Sequence, residues 1–263
     1  MILADERNDL ARAVRSALEA RLPAGWGPPD LRIVVGGDGF LLHTIAANGF
    51  EHLYFGINAG HLGFLLNDVG LHGKAPDGDV RDGDWDGLAR SLTGGAWQEH
   101  GFPLLCAEIE LVGGSKTSQL AINDVYLERS TGQTANLSLT IDGTVVEQKL
   151  TADGLIFATA LGSTAYSFSA GGTPMHPSLS LILVTPICSH RPRLPPFAIP
   201  PSAHAVVQVQ VPGRRPVRAV VDGRSFENVE RVTITLAAEP SVRLAYLDTH
   251  DFTRQMVRKI MNP

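Results

Sequence analysis

The stretch 31–42, LRIVVGGDGFLL, decides how this chain is read. Leu31, Ile33, Val34 and Val35 form a short apolar, β-branched run, the composition of a strand buried on both faces of a parallel sheet. Gly36, Gly37 and Gly39 then remove every Cβ around Asp38, so backbone amides can come close to a phosphate. Phe40, Leu41, Leu42 and Ile45 run on as an apolar helical stripe, and a helix that starts here turns its positive end toward the same point. Gly-Gly-Asp-Gly taken alone also describes a tight turn. It is not a Walker loop, because no Gly-Lys-Ser/Thr follows, and it is not the dinucleotide fingerprint, because the third glycine of that spacing is absent. Its place at the carboxyl end of a strand is where open α/β sheets bind ligands.

Around this core the pattern alternates. Residues 1–4 read as a short first strand. Residues 7–22 read as an amphipathic helix, with Leu10, Val14, Leu18 and Leu22 four apart on one face and Pro23 as its stop. The helix opened by Phe40 is expected to run to about Ala47 and to end at Asn48-Gly49. Residues 53–57 form the next strand, and the alternation implies a parallel sheet. The following NAGHLGFLL, 58–66, suits a loop over a ligand. Phe64 either stacks on a planar base or joins Leu62 and Leu65 as a core plug. Residues 67–95 are rich in Gly and Asp. Asp82, Asp84, Asp86 and Gly87 match the first half of a calcium loop, but the twelfth position is Thr93 and no helix leads in, so a solvated loop and a short helix over 88–92 are expected instead.

From Phe102 the texture changes to short strands: 104–112, 119–128, 137–141, 145–150, 155–158, 180–184, 205–211, 217–221, 231–236 and 242–247. Asp142-Gly143 is a hairpin turn between two of them. This spacing indicates an antiparallel sandwich. A closing helix over 251–261 puts Phe252, Met256 and Ile260 on one face. The expected division is an α/β domain over 1–100, a β-sandwich over 101–248, and a helix over 249–263 that packs back on the first domain.

Composition narrows the function classes. The chain has 263 residues, 44% hydrophobic and 19% charged, which suits a globular protein of one large or two modest domains. A net charge of −5 argues against nonspecific nucleic-acid binding. No apolar run approaches the ~20 residues of a membrane span, and the charged start MILADERND is not expected to be a signal peptide. Cys106 and Cys188 stand in no metal or redox spacing and are expected to be reduced core residues of a cytoplasmic protein. The nine histidines show no metal-ligand spacing, and His190 reads as a loop or core histidine.

Three polar clusters interrupt the β region. Asn123 and Asp124 lie inside an otherwise apolar strand, between Ile122 and Val125; such groups need partners, which either ribose hydroxyls or a structural turn would supply. Asp153 opens a strand that leads to Gly162, Ser163, Thr164, Ala165 and Tyr166, with Ser169 beyond. These small residues offer amides and hydroxyls to the polar edges of a nucleoside, and Tyr166 adds a ring or a hydroxyl. Gly-x-Ser-x-Gly is not present. The third cluster is TPICSH, 185–190, and Asp222-Gly223 reads as a plain hairpin turn.

Five segments in order resemble the NAD kinase family, enzymes that make NADP from NAD: GGDG at 36–39, GINAGHLGFL at 56–65, NDV at 123–125, DGLIFATALGSTAYSFSAGGTPMHP at 153–177 and TPICSHRPR at 185–193. Phe40 stands where many members have Thr, and Asp124 where Glu is common. The resemblance implies a Rossmann-like N-terminal domain, a β-sandwich C-terminal domain and a site between them, in a homodimer or homotetramer. It implies that Asp38, the catalytic residue, contacts the adenosine 2′-hydroxyl of NAD and accepts its proton. Gly36, Gly37 and Gly39 would cradle the phosphates of ATP or polyphosphate, with Mg²⁺ bridging them and no dedicated protein metal site. Asp38, Gly39, Phe64, Asn123, Asp124, Asp153, Ser163, Thr164, Ala165, Tyr166 and Ser169 would bind NAD. GGDG is shared with lipid and sugar kinases, so another kinase of that kind is one alternative, and a non-catalytic NAD(P) sensor is a second.

Overall fold

The structure, a computed structural model, describes residues 1–60, 63–70 and 85–261. The chain forms two compact units, Met1–Phe102 with Val242–Pro263, and Pro103–Ser241.

The first unit begins with β1 (Ile2–Ala4), α1 (Asp9–Glu19), β2 (Leu31–Gly36), α2 (Asp38–Asn48), β3 (Leu53–Asn58), α3 (Trp85–Thr93) and β4 (Trp97–Phe102). The helix expected over 7–22 is shorter because Asn8 caps it: its side chain accepts from the Ala11 amide at 3.2 Å. Ala11, Val14 and Leu18 face the core, whereas Leu10 and Leu22 are only partly covered. The second helix starts at Asp38 itself, so the carboxylate sits in a helical first turn rather than in the preceding loop. Gly49, at φ 96°, ends that helix as the sequence indicates. The calcium-like positions Asp82 and Asp84 lie outside the described residues, and α3 covers the helix expected over 88–92.

The second unit runs through β5 (Leu105–Leu111), β6 (Lys116–Ala121), β7 (Asp124–Arg129), β8 (Ala135–Ile141), β9 (Thr144–Ala152) and β10 (Gly154–Ala158). A 3₁₀ turn (Gly162–Thr164) and α4 (Tyr166–Ser169) follow, then β11 (Ile182–Ile187), β12 (Phe197–Ile199), β13 (Ala205–Val209), β14 (Val217–Val221), β15 (Arg224–Phe226) and β16 (Val229–Leu236). The chain then returns to the first unit with β17 (Val242–Leu247) and α5 (Phe252–Met261).

The sheet of the first unit has the order β1-β2-β3-β17-β4. All its pairings are parallel except β17 with β4. This corrects the reading of 242–247 as a sandwich strand. Val242, Leu244, Ala245 and Tyr246 are all buried, which is the near-continuous apolar pattern of a strand covered on both faces. The parallel register pairs Gly36 with Asn58, so the loops after β2 and β3 leave the sheet side by side.

Two six-stranded sheets make the second unit, in the orders β12-β11-β10-β7-β14-β15 and β6-β5-β16-β13-β8-β9. Every pairing within them is antiparallel. Ala107, Ile109, Leu137 and Val232 of one sheet pack with Val125, Leu127, Phe157 and Val184 of the other in a single core. The strand expected over 119–128 is two strands. The chain leaves one sheet after Ala121 and enters the other at Asp124. Residues 185–187, read as part of a polar interruption, continue β11, and β4, β12 and β15 were not foreseen.

Two smaller expectations also change. Cys106 is partly exposed and Cys188 exposed, so neither is a core residue; both are free. On α5, Phe252 enters an aromatic cluster with His100, Tyr246 and His250, and Gln255 is buried, while Ile260 is exposed. No described helix is long and apolar enough to cross a membrane.

Candidate functional site

Backbone amides of the chain orient Asp38. The Phe64 amide donates to its Oδ2 at 2.8 Å and to Oδ1 at 3.1 Å, and the Leu65 amide donates to Oδ1 at 3.0 Å. The carboxylate is therefore an oriented acceptor in the first turn of α2, where the helix dipole favours negative charge. Phe64, which contributes its amide, is a buried residue, 6% exposed.

A frame of buried asparagines fixes that loop. Asn58 Oδ1 accepts from the Gly60 amide at 2.8 Å. Asn67 donates from Nδ2 to the carbonyls of Gly56 and Ala245 and accepts at Oδ1 from the Leu247 amide at 2.8 Å. One side chain thus ties the Phe64–Leu65 loop to β3 and β17, a role no motif announced.

The three glycines around Asp38 differ. A Cβ on Gly36 would meet the Phe40 ring at 2.8 Å, so packing alone requires glycine there. A Cβ on Gly37 or Gly39 would meet no atom of the described residues within 4 Å. Space beside an oriented carboxylate at a helix N-terminus is what an approaching phosphate needs.

In the second unit the geometry gathers at 122–124, where the chain changes sheets. The Ile122 carbonyl accepts from Thr159 Oγ1 at 2.7 Å, and the Asn123 carbonyl accepts from the Thr159 amide at 3.0 Å. On the other side the Asp222 carboxylate accepts from the amides of Ile122, Asn123 and Asp124 at 2.6, 3.0 and 3.1 Å. Gly162 packs so closely that a Cβ on it would lie 1.9 Å from the Asn123 carbonyl oxygen. The turn carrying Ser163, Thr164, Ala165 and Tyr166 is thereby set against Asn123.

Two polar groups of this segment find no partner among the described residues. Asn123 Oδ1 is buried and unbonded. The Asp124 carboxyl, on a residue 6% exposed, receives no hydrogen bond, and burial followed by the charge of Asp222 pushes its pKa up to about 7. A buried group without a partner costs about 1–3 kcal/mol, so Asn123 Oδ1 beside the unbonded Asp124 carboxyl points to a ligand that supplies the missing bonds.

The remaining expected residues divide. Tyr166 is half-buried and meets Tyr126 edge to face at 4.9 Å, a partner the sequence reading missed. Both phenols are raised by burial, with Glu128 and Asp124 adding negative charge nearby. Ser163 is wholly buried: its hydroxyl donates to the Ala160 carbonyl and accepts from the Met175 amide at 2.8 Å. The Thr164 hydroxyl turns back to the Leu161 carbonyl at 3.3 Å, Ala165 is half-buried and Ser169 is exposed. Asp153 lies just before β10, at the end of that strand away from Asp124, and pairs with Arg129 at 2.7 Å. Tyr166 feels the charge of both Asp124 and Asp153. His190 is exposed.

Comparison with known proteins points one way. Residues 122–240 match the ATP-NAD kinase C-terminal domain family. The chain is 32% identical to an NAD kinase of Rickettsia bellii over 88% of this chain and 85% of the relative. It is 33% identical to an NAD kinase of Zymomonas mobilis over 94% and 93%. Among solved structures it is similar to yeast NADH kinase complexed with NADH, with a TM-score of 0.73 and 25% identity over 90% of this chain and 68% of that one. An NAD kinase from Archaeoglobus fulgidus in complex with ATP shares the fold, with a TM-score of 0.72 and 20% identity over 99% and 98%.

Proposed function

The chain belongs to the NAD kinase family, and we propose that it transfers the terminal phosphoryl group of ATP to the adenosine 2′-hydroxyl of NAD, giving NADP and ADP. The observation that carries this reading is Asp38, a carboxylate aimed by two backbone amides at the head of a helix, flanked by Gly37 and Gly39, where a Cβ would meet no described atom. Phosphoryl transfer depends mainly on positioning and on neutralising charge. The 2′-oxygen forms the new bond to phosphorus, the bond to the ADP oxygen breaks, and the hydroxyl proton passes to Asp38. General-base assistance of this kind is worth ~10²–10⁴-fold.

The amides around Gly37 and Gly39 would take the donor phosphates. No group of three or more His, Cys, Asp or Glu among the described residues converges on a metal position. Mg²⁺ carried by the donor phosphates would neutralise their charge. Asn123 and Asp124 would bond ribose hydroxyls, with Tyr166, Ala165 and Ser169 along the nucleoside and Asp153 nearby. Inorganic polyphosphate is the alternative donor. We read the enzyme as a cytoplasmic homodimer or homotetramer.

The test is to incubate the protein with NAD, ATP and Mg²⁺ and measure NADP with an NADP-specific reporter enzyme. NADP formation that disappears in Asp38→Asn supports the reading. No NADP with either ATP or polyphosphate overturns it.

A further inference from the structure

The hairpin turn 222–223 does more than reverse the chain. Asp222 and Gly223 have φ of 42° and 86°, the pair of positive values that a two-residue turn between β14 and β15 requires. Such a turn closes by itself and needs nothing from its side chain. Yet the Asp222 carboxylate reaches the amides of three consecutive residues, Ile122, Asn123 and Asp124, and its own amide donates to the Asp124 carbonyl at 3.1 Å. These amides lie where the chain crosses from β6 to β7, Asp124 being the first residue of β7. A carboxylate in a row of backbone N–H groups is a bound anion supplied by the chain itself.

We propose that Asp222 is a positioning residue for dinucleotide recognition: it fixes the backbone of 122–124 so that Asn123 Oδ1 and the Asp124 carboxyl present their unmet bonds together, and its charge decides which of the two carboxyls keeps a proton. The proposal rests on the dinucleotide site argued above. Burial pushes the Asp222 carboxyl up as well, but three amides donate to it and oppose that rise, whereas none among the described residues donates to the Asp124 carboxyl. The titratable groups facing Asp124 are Tyr126 on its own strand, Tyr166 on α4 and Asp222 on the hairpin. Both phenols are raised further above 10 and stay neutral, leaving Asp222 as the charge Asp124 feels.

Asp222→Asn is the variant to make, because Asn tolerates positive φ while losing the charge. Carboxyl-carbon NMR on the ligand-free protein follows the Asp124 titration, and calorimetry follows NAD. Asp222→Asn should lower the Asp124 midpoint by about one unit or more and weaken NAD binding about 10-fold. Thr159→Val, which loosens the same segment without touching charge, should leave that midpoint in place. If Asp222→Asn fails to fold, Asp222→Ser, which keeps one acceptor, is read in the same way. An unchanged Asp124 midpoint in the Asp222 variant, or an equal displacement in Thr159→Val, overturns the proposal. Absence of NAD binding in the unaltered protein overturns the dinucleotide reading instead, while the titration still reports on Asp222.

Discussion

Asp38 and Asp124 are both carboxylates at chain turns, and the fold treats them in opposite ways. Asp38 is tied by three bonds from two amides and stands half-exposed. Asp124 is buried, receives no bond among the described residues, and is pushed up to about 7. A group that must hold one direction while bonds rearrange is anchored by the chain. A group that must meet a ligand's hydroxyls keeps its bonding capacity for them. The difference predicts that the two fail differently. Asp38→Asn should cost ~10²–10⁴-fold in kcat with NAD affinity little changed. Asp124→Asn should raise KM about 10-fold and spare most of kcat. Steady-state NADP formation separates the two, and an equal loss of kcat in both would break the division of labour.

The next largest effect tests how the Asp124 side is built. Gly162→Ala would push a methyl into the Asn123 carbonyl, a backbone atom that cannot swing aside. Overpacking of this kind should cost about 3 kcal/mol or more. Denaturant unfolding measures it, and a variant as stable as the parent would show that the 162–164 turn is not seated on Asn123.

A pH effect distinguishes the two carboxylates in the absence of any ligand. Unfolded, Asp124 has its ordinary pKa of 3.8; folded, about 7. Between those values the folded state keeps a proton that the unfolded state gives up. Its contribution is therefore fully present below about pH 4 and is lost as pH rises toward 7. The loss should be about 2 kcal/mol, below the full span, because Asp222 beside it is also raised by burial and the two titrate as a coupled pair. Asp124→Asn should flatten the dependence of unfolding free energy on pH over that window. A slope that persists unchanged would assign it to another group.

How much of this was legible beforehand depends on how local each signal is. The β2-α2 stretch was readable because strand, glycine turn and helix are adjacent in sequence, each with its own period. So was the Asp142-Gly143 turn, where φ of 49° and 76° match what that dipeptide favours. The place of β17 was not readable from spacing, because a strand's partners are set by contacts far along the chain. Its burial on both faces was the one available hint. β4, WQEHGF, is an edge strand with three exposed residues and no alternation to betray it. At the candidate site, Asn123 and Asp124 stood out as polar residues in an apolar run. Asp222, Thr159 and Asn67 did not, since each acts through hydrogen bonds to residues distant in sequence, and an Asp-Gly turn looks the same whether or not its carboxylate is occupied.

The smallest stability effect carries the sharpest contrast. Gly37 caps α2 at φ −101° and ψ 173°, extended backbone that any residue adopts, and a Cβ there meets no described atom within 4 Å. Gly37→Ala should therefore change folding stability by no more than about 0.5 kcal/mol. If the space beside Asp38 receives donor phosphates, the same methyl occupies it, and KM for ATP should rise about 10-fold while calorimetric NAD affinity holds. Gly162→Ala and Gly37→Ala then form a pair. One glycine is demanded by the fold, and the other by a ligand. A Gly37→Ala enzyme with unaltered KM for ATP would remove the phosphates from this end of the sheet and leave Asp38 as an anchored carboxylate without a neighbouring donor.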